Sequence, residues 1–159
     1  MLSIRVICVG KLKEKYWESA CGEYLKRLGG YCSPAVVEIK ESRLPANASS
    51  ADEQNVMEKE GRDILAKIEQ GDYVIAMDIQ GRELDSPGIA RRISEIAFDH
   101  SRIDFIIGGS LGLSDEVKRR ADMKLSFGRI TLPHQLARVV LLEQIYRAFK
   151  INAGETYHK

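Results

Sequence analysis

The sequence predicts an α/β protein with a largely parallel sheet flanked by helices. Two observations carry that expectation. Short β-branched runs alternate with helical apolar stripes along the whole chain. One of those runs, IDFII at 103–107, is apolar at every position but Asp104 and does not alternate, as befits a strand covered on both faces. The 159 residues, 44% hydrophobic and 30% charged, suit a single folded domain over 1–159 and exclude a mostly disordered chain.

The elements follow in order. Residues 2–9 (LSIRVICV) are β-branched and alternating and predict a strand ending at Gly10. Trp17, Cys21, Tyr24, Leu25 and Leu28 recur at helical spacing until Gly29-Gly30 stops them. Ala35–Ile39 is a second strand, and ESRLPANASS at 41–50 is the most loop-like stretch. Asp52 opens a helix with the stripe Met57, Gly61, Ile64, Leu65 and Ile68, ended by Gly71; Asp72–Ile79 is a third strand. Ser86 caps the next helix, with Pro87 at its first position and Ile89, Ile93, Ile96 and Ala97 as its stripe. The strand 103–107 gives way to a glycine-rich turn, Gly108–Leu113, and a short helix capped by Ser114. Met123–Phe127 is a fifth strand, a loop leads to Pro133, and a last helix spans about Gln135 to Ile151.

With 24 Lys+Arg against 23 Asp+Glu, a polybasic nucleic-acid binder is excluded, though a local basic patch is not. Cys8, Cys21 and Cys32 form neither a CxxC pair nor a ligand set, so no metal site is expected and reduced, buried thiols fit best. No apolar run approaches the ~18 residues of a membrane span, and the N-terminal run carries Arg5. A soluble, cytoplasmic protein is the expectation.

In parallel sheets ligands gather at the carboxyl ends of strands. Three loops stand there: the one after Met77, the turn GGSLGL, and FGRITLPH at 127–134. The turn is neither GxGxxG nor a P-loop, and Asp115 and Glu116 open the next helix, which opposes a phosphate at that place. An uncharged or cationic ligand is allowed, as is a turn that binds nothing. His134 is either a loop residue facing ligand or a cap of the last helix. His100 reads as a solvated charge at a helix end. The last helix, with Leu136, Val139, Val140, Leu141, Leu142, Ile145, Ala148 and Phe149, is apolar on more than one stripe, so a homodimer interface or a fully interior helix is expected. Arg138, Arg147 and Lys150, with Lys118-Arg119-Arg120, are candidates for RNA phosphates or simply solvated faces. The ending Tyr157-His158-Lys159 is either frayed or functional.

VGKLKEKYW (9–17), IIGGSLGL (106–113) and LPHQLARVVLLEQIYRAFKINAGETYHK (132–159) together closely resemble the bacterial large-subunit ribosomal RNA pseudouridine N3-methyltransferases of the SPOUT class. The resemblance covers the whole chain. It implies a trefoil knot in the C-terminal half, a homodimer, S-adenosyl-L-methionine as cofactor, and a pseudouridine in a 23S hairpin of the assembled ribosome as target. Carried over by position, the cofactor pocket takes Met77, where leucine is more usual, Gly108, and Phe127, Gly128, Arg129, Ile130, Thr131 and Leu132. The residues expected to act on the base are Arg147, Tyr157, His158 and Lys159, with His158 the natural proton acceptor. Two rivals predict different ligands: a nicotinamide-dependent oxidoreductase, and a non-catalytic RNA- or ribosome-binding factor with the same fold.

Overall fold

The computed structural model describes residues Met1–Lys159. Its strands are β1 (Ser3–Val9), β2 (Ser33–Ile39), β3 (Tyr73–Glu83), β4 (Arg102–Ile107) and β5 (Met123–Ser126); its helices are α1 (Lys15–Leu28), α2 (Ser50–Leu65), α3 (Ser86–Asp99), α4 (Asp115–Arg120) and α5 (His134–Asn152). The sheet order is β2-β1-β4-β3-β5, with every pairing parallel. All five strands therefore end on the same edge.

Alternation along each strand divides the core in two. Ile4, Val6 and Cys8 of β1, with Ile103, Phe105 and Ile107 of β4, face α1, α3 and α5. Ile7, Val9, Ile106, Val74 and Ala76 face Ile64 of α2 and Val117 of α4. β4 is thus buried on both sides, its one internal charge, Asp104, included. All three cysteines are free and buried. Burial pushes the Cys8 thiol up to about 12 and the Cys32 thiol up to about 11.

Boundaries shift where side chains cap better than expected. Asp85, not Ser86, caps α3, because its Oδ1 accepts from the Gly88 N–H at 2.7 Å. Ser86 then lies inside the helix and donates to Gln144 Oε1 of α5. Ser49 caps α2 in a reciprocal box with Asp52, which places Asp52 at the third helical position rather than the first. Gly61 is glycine because a Cβ there would meet Ser114 Oγ at 2.3 Å, so α2 and α4 touch at that point.

A polar network braces the sheet's interior. Arg5 donates through Nε and Nη2 to both carboxylate oxygens of the fully buried Asp104 at 2.7 Å, and Nη2 also reaches Asp72. Arg5 and Asp104 are register partners on adjacent strands. Burial pushes the Asp104 carboxyl up despite Arg5. Asp72 ends below its usual range: burial opposes this, but the Glu69 N–H and the nearby Arg102 and Arg5 outweigh it.

α5 is less of an orphan than its sequence suggests. From the sheet edge at β5 the chain returns through 127–133 and lays α5 against α1 and α3, burying Leu141, Leu142, Ile145, Tyr146 and Ala148 within one chain. Arg138 is also buried, at 2% exposure: it donates to Glu38 Oε2 and to the Gly10 carbonyl. It is a brace between α5 and the ends of β1 and β2, so it contacts no RNA. No helix is long and apolar enough to cross a membrane.

Candidate cofactor cleft and C-terminal cluster

Three consecutive strand ends of the C-terminal half build one cleft of about 530 Å³, within the range of small-molecule sites. After β4, the turn 108–113 folds tightly on itself. The Gly112 N–H donates to the Gly109 carbonyl, and Gly112 adopts φ +84°. At β3 the ladder slips: Met77 and Arg82 both pair with Leu125, so residues 78–81 leave the register and Asp78 and Ile79 face the cleft. After β5, the buried Ser126 hydroxyl accepts from the Gly128 N–H at 3.0 Å and lies 3.0 Å from the Ile79 carbonyl, pinning 127–133 against β3. The first turn of α5 closes the far wall with His134 and Ala137.

Met77, Gly108, Phe127, Gly128, Ile130, Thr131 and Leu132, all named from the sequence, line this cleft. Arg129 does not; it is exposed. His134 is the first residue of α5, makes no capping bond, and faces the cleft. Sequence reasoning did not name Asp78 or Ala137; Ser110 falls in the turn it had marked as a ligand loop, and Lys118 it had placed among possible phosphate contacts. For Asp78 the signal was present, one residue beyond Met77 at a strand end. Lys118, read as part of a surface run, turns inward instead, 3.7 Å from Asp78. That pairing leaves no surplus of positive charge for a phosphate, in agreement with the acidic start of α4. The apolar walls and close-approaching backbone suit a heterocycle with a neutral or cationic tail.

Gly108 is glycine for a reason other than room for a ligand. A Cβ there would meet the Gly112 backbone at 2.8 Å. It is the turn's own closure that forbids a side chain.

The other predicted residues form a second cluster. Arg147 donates from Nε and Nη2 to Glu143 Oε1, at 2.8 and 2.6 Å. This carboxylate holds the guanidinium's pKa above its ordinary value. The Tyr157 ring lies under Arg147 at 4.6 Å and packs edge-on against Tyr146 at 5.0 Å, while its hydroxyl donates to Glu143. His158 Nδ1 sits 3.2 Å from Arg147 Nη1. A guanidinium only donates, so Nδ1 accepts here and the proton of the neutral ring belongs on Nε2. The tail is therefore docked rather than frayed. Lys150 is engaged with Glu155 and Tyr31, and His100 contacts the Gly71 carbonyl and the Tyr73 ring rather than standing free in solvent.

The structure does not bring the cleft and this cluster together within one chain. His134 and Arg147 lie near opposite ends of α5, about 20 Å apart at ~1.5 Å rise per residue.

Comparison with known proteins gives the same frame. A solved structure of a probable methylase family protein from Haemophilus influenzae Rd KW20 superposes with TM-score 0.54, covering 98% of this chain and 70% of that one, at 12% identity; it shares the fold. Proteins named ribosomal RNA large subunit methyltransferase H match along their full length. That of Carboxydothermus hydrogenoformans is 54% identical over 99% of this chain and 100% of its own. That of Oenococcus oeni is 52% identical over 100% of both. The family described as "Predicted SPOUT methyltransferase" matches residues 2–158, and the chain belongs to the SPOUT methyltransferases.

Proposed function

We propose that the protein methylates N3 of a pseudouridine in large-subunit (23S) ribosomal RNA, using S-adenosyl-L-methionine, as a cytoplasmic homodimer. The observation that carries this reading is the 530 Å³ cleft lined by seven of the eight residues that family position assigns to the cofactor. The cofactor supplies an electrophilic methyl group when bound. The residues fit it: Met77, Phe127, Ile130 and Leu132 offer apolar walls, and Asp78 offers a carboxylate to a cationic ligand. The knot that the resemblance implies would form where 127–133 returns past the turn 108–113.

The imide N3 loses its proton as it gains the methyl, so the protein must align the two partners and hold charge on the uracil ring. Arg147, locked by Glu143, and Lys159 are the cations for that charge. Tyr157 offers an aromatic face, though docking against Tyr146 already occupies its edge. His158 takes the proton once Nδ1 leaves Arg147. The 20 Å between cleft and tail requires that these groups come from the partner subunit. The half-buried Val139, Val140 and Ile151 of α5, with the exposed Ile79 and Ile130 beside the cleft, give that dimer its apolar contact. Near-zero net charge agrees with a dimer that reads one folded hairpin by shape and a local patch.

Calorimetry with S-adenosylmethionine and with NAD, followed by mass spectrometry of 23S RNA from treated unmethylated ribosomes, tests the reading. Heat with the first ligand only, and one methyl on a pseudouridine, is the expected result. Heat with NAD alone overturns it, and ribosome binding without transfer leaves the non-catalytic factor.

A further inference from the structure

We infer that the groove between the end of β2, the loop 41–49 and α2 is a phosphate track that holds the RNA strand beside the target nucleotide, an assignment that rests on the function proposed above. A hollow of about 490 Å³ is lined by Lys40, Ser42, Arg43, Asn55 and Lys59, with Glu41 its only acid. A second, of about 400 Å³, shares Glu41, Ser42, Arg43 and Val56 with it and ends at Ser110 and Leu111 of the glycine turn. Ser110 also lines the cofactor cleft, so the second hollow and the cleft stand on either side of one shared residue. β2 and β4 are two strand spacings apart, about 10 Å, with their carboxyl ends on the same edge. The groove thus opens within a few nucleotides of the reacting atom.

Charge selects the occupant. Lys40 and Arg43 are exposed and form no ion pair, and Lys59 touches only Asp63, at 3.6 Å along its own helix. In a chain of net charge +1, three cations line one open groove. Leu44 and Leu111 beside them give an apolar wall for a sugar or base. A polyanion with apolar rings is what such a groove accommodates.

The groove is also fixed relative to the cleft. Glu60, only 4% exposed, accepts from the Ser42 N–H through Oε2 at 3.0 Å. Its Oε1 lies against Gly109, where a Cβ would come within 3.1 Å of it. One carboxylate thereby ties the Arg43-bearing loop to the turn that forms the cofactor site.

The test uses the full-length protein, purified ribosomes and a Lys40→Ala/Arg43→Ala variant. Expected are unchanged S-adenosylmethionine affinity, ribosome affinity at least about tenfold weaker, and a salt-dependence slope of binding reduced by about 2. KM for ribosomes rises while kcat stays within about twofold. Unchanged ribosome affinity and slope in a variant that still binds cofactor overturns the track. Weaker binding with an unchanged slope assigns the groove to a ribosomal protein and overturns it as well. Wild-type protein that binds ribosomes with this slope but transfers no methyl refutes the proposed activity and leaves the track standing. Wild-type protein that binds no ribosomes refutes both.

Discussion

Arg5 and His158 show how differently two polar side chains can be judged from sequence. Arg5 interrupts an apolar run; its partner Asp104 lies 99 residues away, and only strand pairing brings them into register. Arg5→Ala strands a buried carboxylate and should cost roughly 3–5 kcal/mol in urea melts. Without Arg5, the Asp104 carboxyl rises further above its unfolded value. Stability contributed by a raised group is lost as pH rises, so the deficit should be larger at pH 8 than at pH 5. Asp72 adds nothing to that difference, because its lowered carboxyl stabilises in full above its unfolded pKa and the loss of Arg5 there costs the same at pH 5 and at pH 8. A deficit independent of pH would place the loss in packing instead. His158 is singled out in the sequence only through the family's ending, and its bond to Arg147 was not legible at all. His158→Ala should slow single-turnover methylation at least about 100-fold while changing ribosome affinity little. Equal losses in rate and affinity would make it a positioning group.

At the scale of elements, all ten predicted segments are present and the sheet is parallel throughout. Strands and helices were legible because each buries a face whose period the sequence displays. What escaped was set by contacts between elements. The β3 slip at Met77 depends on β5, and the burial of Arg138 depends on Glu38 and on the Gly10 carbonyl. α5 displays more apolar surface than a single stripe because α1 and α3 both lie on it. The choice of test residue changes accordingly. Gly108→Val collides with the Gly112 backbone and would break the turn, so lost binding in that variant says nothing about the cleft. Ala137→Phe fills the cleft from α5 and leaves the sequence of the turn intact. Its S-adenosylmethionine affinity should fall at least about tenfold in calorimetry, with the melting temperature within a few degrees of wild type. Intact affinity would move the cofactor elsewhere. The tail carries a similar correction: Tyr157 packs on Tyr146, so deleting 157–159 costs stability as well as activity.

For the whole molecule, the residues that line the cleft were legible as a group because motif position and strand-end geometry coincide, while the distance from cleft to tail was invisible in one dimension. Light scattering at micromolar concentration should give about twice the 17.9 kDa chain mass. A monomer mass would leave the tail without a route to the cleft. The opposed placement of cleft and tail on α5 has a consequence for mixtures of damaged chains. A subunit with a filled cleft (Ala137→Phe) still carries a sound tail, and one with His158→Ala still carries a sound cleft. With S-adenosylmethionine held below saturation, each variant alone is strongly impaired. If the two are unfolded and refolded together, random pairing makes about half the dimers mixed, each with one intact and one doubly damaged centre, so about one quarter of wild-type activity should return. No such recovery can occur if every chain serves its own cleft.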